Sequence, residues 1–158
     1  MRNKIPAFLF TLCLVALSAK VTLAHCQVPC GIYDDQMRFM QMLEHENTIA
    51  KAQAQLGELH GGEVTPQAVN QMARWVMTKE DHATKVQEIV SKYFLTQRIK
   101  PDSKDYTKQL VAAHKVMVAA MKCKQSADAD TAKTLEKAIF DLYRAYEGKE
   151  PDMKHEHK

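Results

Sequence analysis

Three breaks govern what residues 35–150 can become. Gly61-Gly62 with Thr65-Pro66, then Pro101, then Asp128-Ala129-Asp130 divide them into four stretches, each apolar at helical spacing. The first, from about Asp35 to Leu59, carries Met37, Met40, Leu43, Ile49, Leu56 and Leu59. The second opens on Thr65 as a cap with Pro66 at the first helical position. It runs on through Val69, Met72, Val76, Val86, Ile89, Val90, Tyr93 and Phe94, with Pro101 closing the connection beyond. The third starts near Ser103 and uses Leu110, Met117, Val118 and Met121. The fourth starts near Asp128 or Asp130, uses Leu135, Ile139, Leu142, Tyr143 and Tyr146, and stops at Gly148 and Pro151. No stretch alternates with period two, and no repeat is present. Short connections between four amphipathic helices predict an all-α protein, an antiparallel four-helix bundle. A length of 158 residues suits one such core and is too little for two.

Ahead of the bundle the character changes. Arg2 and Lys4 precede an apolar run from Ile5 to Ala19, fifteen residues long. A membrane span needs about twenty, so the run fits a secretory signal peptide. Thr22 and Ala24 suit cleavage after Ala24, which makes residues 1–24 a leader and predicts export, to a periplasm or outside the cell, with no membrane association afterwards. Of the 22 Lys and Arg, Arg2, Lys4 and Lys20 lie in that leader, and the rest balance the 19 Asp and Glu. A formally neutral mature chain carries no basic patch for nucleic acid. The end, residues 151–158, reads as a disordered charged tail, in which His155 and His157 are solvated.

Residues 25–34 (HCQVPCGIYD) are short, aperiodic and chemically dense. Cleavage after Ala24 turns His25 into the N-terminus, next to Cys26 and close to Cys30. Its free α-amine and ring chelate together, the Cys26 amide deprotonates once a metal is bound, and two thiolates complete a planar N₂S₂ set. Such a set suits nickel(II) or copper(II). Pro29 and Gly31 supply the turn that brings Cys30 back towards Cys26. The residues leave one rival reading, since two close cysteines in an exported chain also form a disulfide.

The run His25-Cys26-x-x-Pro29-Cys30-Gly31-x-Tyr33-Asp34 resembles the N-terminal "nickel hook" of nickel-containing superoxide dismutases, and Lys79-Glu80 followed by Tyr93-Phe94 is similar to that family too. The resemblance implies a superoxide dismutase that turns superoxide into O₂ and H₂O₂ by one-electron cycling of nickel. His25 would give its amine and imidazole, Cys26 its amide nitrogen and thiolate, and Cys30 its thiolate, while Tyr33 would gate the open face and hold water. It also implies a homo-oligomer, a hexamer. In that family a Glu on the first helix and an Arg on the second usually hold the hook imidazole. Here Gln41, with Glu44 one turn on, stands at the first place and His82 at the second. Residues that orient a ligand also tune its metal, so copper is the alternative to nickel. A non-catalytic exported bundle that sequesters nickel or copper is the other function class, told apart by turnover of superoxide. A purely structural bundle with a Cys26–Cys30 disulfide is the third.

The remaining polar and sulfur residues have ordinary structural readings. His45 is a surface or core-edge residue, His60 lies near a helix C-terminus, and His114 is partly buried on the third helix. Cys123 is a buried free thiol. Met37, Met40 and Met42 are core filler. Trp75 and the tyrosines at 93, 106, 143 and 146 serve packing or interfaces. No Glu-x-x-His pair stands at helical spacing, which argues against a ferritin-like two-metal core.

Overall fold

The computed structural model describes residues 35–151, so the leader, the hook at 25–34 and the tail beyond Pro151 lie outside the described residues. Four helices follow one another: α1 (Asp35–His60), α2 (Pro66–Glu88), α3 (Tyr106–Gln125) and α4 (Ala129–Glu147). A π-helical segment, Ile89–Arg98, continues α2 without a break.

The cross-helix hydrogen bonds give the directions. Early residues of α1 meet late ones of the second helix (Asp35 with Tyr93), and late residues of α1 meet early ones of α4 (Gln53 with Thr131). Gln87 donates to the Met117 carbonyl, while Lys79, earlier on α2, reaches that of Cys123, later on α3. Each of these pairs is antiparallel. Each helix packs against two others, in the closed order α1, α2, α3, α4. The four-helix bundle expected from the breaks is the fold observed.

The breaks act as their residue types dictate. Thr65 Oγ1 accepts from the Ala68 N–H at 3.1 Å, satisfying one of the orphan donors of α2, and Pro66 follows where no N–H is needed. Gly148 ends α4 in the left-handed region, φ 71°, and sends its N–H to the Arg144 carbonyl. Helix α1 buries Phe39, Met42, Leu43, Glu46, Ile49, Ala52, Gln53 and Leu56, a stripe recurring every three or four residues.

Several apolar positions turn out differently. Met42 is core, but Met37 and Met40 are exposed, because the α1 stripe passes through Phe39 and Met42 instead. No residue of α2 before Lys79 is buried, so Val69, Val76 and Met77 face solvent. His114 is exposed too, since α3 turns Ala112, Ala113 and Val116 inward. Cys123 is a buried free thiol, as expected, and burial pushes its pKa up.

The π-helical turn is the feature that local sequence pattern does not announce. Its hydrogen bonds reach back five residues, as Ile99 N–H to the Phe94 carbonyl at 2.8 Å shows. Residues five apart therefore stack, which sets Arg98 beneath Tyr93. The same stretch buries Tyr93 and Phe94 together. Phe94 joins Phe39, Tyr143 and Tyr146 in an aromatic layer, with Phe39 at 4.8 Å from Phe94 and 5.0 Å from Tyr143 between ring centroids. This layer underlies the start of α1.

Two buried charges test the energetics. Lys79 is 3 % exposed and donates to the carbonyls of Cys123 at 2.6 Å and Lys124 at 2.5 Å, with Glu80 at 3.2 Å. An ammonium there satisfies orphan carbonyls and meets the negative end of the α3 dipole. Lys79→Met keeps the aliphatic stem and removes the donor. It is expected to lower stability by about 2–4 kcal/mol, read by urea denaturation.

Glu46 is the opposite case. It is 6 % exposed, and burial, with the neighbouring Glu136 adding to it, pushes its pKa up to about 7. The folded value lies above the unfolded one, so the fold favours the protonated acid. Stability is therefore expected to fall as pH rises through the window from about 4.5 to about 7. Glu46→Gln should gain about 1–3 kcal/mol at alkaline pH and little under acid conditions, checked by thermal melts across that range.

Candidate metal centre

The predicted ligands His25, Cys26 and Cys30, and the predicted gate Tyr33, lie outside the described residues. What the structure describes begins at Asp35, the residue that follows that segment in the chain. Asp35 is its anchor. The Tyr93 hydroxyl donates to Asp35 Oδ1 at 2.6 Å, Arg98 Nε donates to the same oxygen at 2.7 Å, and the Tyr146 hydroxyl donates to Oδ2 at 2.8 Å. Burial alone would raise the Asp35 pKa. The bonds from Tyr93, Tyr146 and Arg98, with the Arg98 charge, outweigh it and hold the carboxyl below its ordinary value. The same contacts keep the phenols protonated: Tyr93 is pushed up to about 12, by burial first and then by Asp35, and Tyr146 is raised for the same reasons. The chain thus enters the bundle at a fixed point, held from two other elements.

Beside that anchor, α1 and the end of the second helix form a groove of about 440 Å³, lined by Arg38, Gln41, Glu44, His45, Lys85 and Tyr93 among others. Arg38 Nη1 donates to Gln41 Oε1 at 3.0 Å, and its guanidinium lies over the Tyr93 ring, 4.9 Å from the centroid. Gln41 is therefore a held residue, while Glu44 is exposed at the groove's edge. His82 does not line this groove but reaches it through His45. Their Nδ1 atoms stand 3.1 Å apart, with the rings edge-to-face at 81°.

So the three residues singled out to orient the hook are gathered by the fold along one side of α1 and α2, directly beyond the entry point. His45, read from the sequence as a surface or core-edge residue, is the one that joins them. Its signal was its place in the hairpin: His45 and His82 lie at roughly equal separations from the Gly61–Thr65 turn, and antiparallel pairing sets such residues side by side. Both rings titrate below the ordinary imidazole value. For His45 the causes are burial, then the positive charge of His82 and Lys85. For His82 they are burial, then Lys85. Glu44 and Asp81 oppose the shift in both. Near neutral pH the pair is accordingly uncharged, one ring donating its N–H and the other accepting it.

Among the described residues no three His, Cys, Asp or Glu side chains come together as a metal site. Also among them, no helix is long and apolar enough to cross a membrane. The donor chemistry that fits a redox-active nickel stands in the sequence ahead of Asp35: one imidazole, backbone amide nitrogens and two thiols within six residues.

A family model described as nickel-containing superoxide dismutase matches residues 20–150, from just before the hook to just past α4. No curated protein and no solved structure matches the chain.

Proposed function

The chain belongs to the nickel-containing superoxide dismutase family, and on that premise we propose that its nickel is held at the mature N-terminus by His25, Cys26 and Cys30. It is a superoxide dismutase of the nickel type, with superoxide as its substrate. The observation that carries the site is the coincidence, at residues 25–30, of a complete N₂S₂ donor set with the segment that the family match includes.

Nickel, when bound, supplies the one-electron couple that the disproportionation of superoxide needs. The protein's residues do the rest. The His25 amine and the Cys26 amide nitrogen are strong donors that favour the higher oxidation state, as are the Cys26 and Cys30 thiolates. The His25 imidazole would be a further donor to the metal. Pro29 and Gly31 would supply the turn that brings the two thiols together. Tyr33 would gate access of superoxide to the metal, its hydroxyl holding water. Asp35 fixes where this segment leaves the bundle, and Gln41, Glu44 and His82 are the residues that orient the His25 ring.

Three further parts belong to the same reading. Cleavage after Ala24 creates the His25 amine. Export follows from that leader. A homohexamer is the assembly, supported by the apolar side chains exposed along α2 (Val69, Val76, Met77).

The test uses mature protein from an exporting host. Its N-terminus is sequenced, its metal determined by elemental analysis, its mass in solution measured by light scattering, and superoxide dismutation assayed in the same sample. About one nickel per chain, an N-terminal His25 and rapid turnover are expected. Nickel bound with Cys26 and Cys30 joined as a disulfide, or with residues before His25 still attached, would overturn the ligand assignment. Active protein holding copper would reassign the metal.

A further inference from the structure

The His45–His82 pair has a capacity that orienting the hook does not use. We infer that it is a second metal site, a two-imidazole chelate between α1 and α2 that takes a divalent ion of the zinc or copper class through the two Nδ1 atoms. The spacing carries the inference. Metal–imidazole bonds of about 2.0–2.1 Å to two nitrogens 3.1 Å apart subtend an angle of about 100° at the ion, between the square-planar and tetrahedral values. The two nitrogens already face each other at hydrogen-bond distance; a metal displaces the proton between them and sits to one side of the line that joins them, each ring rotating to aim its lone pair at the ion.

The positions are rigid. His45 lies between the buried Leu43 and Glu46, and His82 precedes the buried Ala83, so neither backbone has to move to bring the rings together. Glu44 and Asp81, each adjacent in sequence to one of the histidines, act on both rings against the positive charge of Lys85, which Asp81 pairs with at 2.6 Å. With two protein ligands and no third side chain in place among the described residues, the remaining positions fall to water. Open coordination of that kind makes an exchangeable site rather than a structural one. Its donors are all nitrogen, and none is shared with residues 25–30.

The experiment uses the full mature chain carrying Cys26→Ser and Cys30→Ser, so that the hook thiolates take no part, whatever their role in catalysis. Zinc chloride is titrated in a calorimeter and its effect on the melting temperature recorded, with the histidine ring resonances followed by NMR. Zinc is expected to bind, raise the melting temperature and move the His45 and His82 resonances. His45→Ala and His82→Ala should each lose the zinc-dependent shift. His82→Gln, which still offers His45 a hydrogen bond, should keep the metal-free melting temperature and lose the shift as well. A zinc effect that survives His45→Ala and His82→Gln, with donors such as His155 and His157 responsible, overturns the proposal. So does zinc binding that leaves the two ring resonances unmoved, or no zinc binding at all.

Discussion

A mature chain with one alanine ahead of His25 is expected to lose dismutation by more than about a hundredfold while melting at the temperature of the unextended protein. The extension turns the α-amine into an amide. That removes one strong donor and breaks the chelate in which amine and imidazole act together, while both thiolates stay in place. Disturbing residues that merely orient a ligand costs about 10–100-fold in metal affinity or activity, so loss of a ligand itself should exceed that range. The fold should not notice, because Asp35, the first of the described residues and held by Tyr93, Tyr146 and Arg98, lies a full ten residues downstream. Nickel content, melting temperature and rate per bound nickel, measured on one preparation, separate the two effects. Full activity in the extended chain would move the metal donors away from the N-terminus.

The contrast between His25 and His82 shows what the sequence could and could not carry. Donors that are neighbours in the chain need no fold to bring them together, so a hook at residues 25–30 can be proposed from chemistry before any helix is placed. The helices were legible for a related reason. Thr65-Pro66, Gly61-Gly62 and Gly148 are local stereochemistry, and caps, turns and left-handed glycines are decided within a few residues. Tertiary pairing is not. His45 and His82 lie 37 positions apart, and only the register of α1 against α2 joins them. The Asp35 contacts with Tyr93, Arg98 and Tyr146 depend on the same register and on the π-helical turn as well, for which no residue pattern gave notice. Periodicity also misjudged Met37, Met40 and Val76. An apolar residue at helical spacing shows which face it shares, but not whether another helix is present to cover it.

Asp35 is where fold and site meet, and its replacement should reveal both. Asp35→Ala leaves Tyr93, Tyr146 and Arg98 without their shared acceptor in a partly buried place. A loss of about 2–4 kcal/mol is expected, read by denaturant unfolding. Asp35→Asn keeps an acceptor oxygen for one phenol but loses the charge opposite Arg98, so it should fall between. The pH dependence gives an independent reading. The carboxyl's pKa lies lower in the folded chain than the ordinary 3.8, since the three donors outweigh burial. Its contribution is therefore complete above the unfolded pKa and disappears as pH falls through the folded one. Melting curves of the parent should steepen on that acid side, and those of Asp35→Asn should lack this component. Activity should respond more strongly than stability. The clamp fixes the residue from which the hook departs, and displacement of a reacting group by about an ångström costs up to a hundredfold in rate. The expected result is an Asp35→Asn enzyme that is folded at neutral pH and binds its nickel, yet turns over slowly. Wild-type rates in that variant would show that the hook holds its own geometry without the bundle, and would leave Asp35 as an element of stability alone.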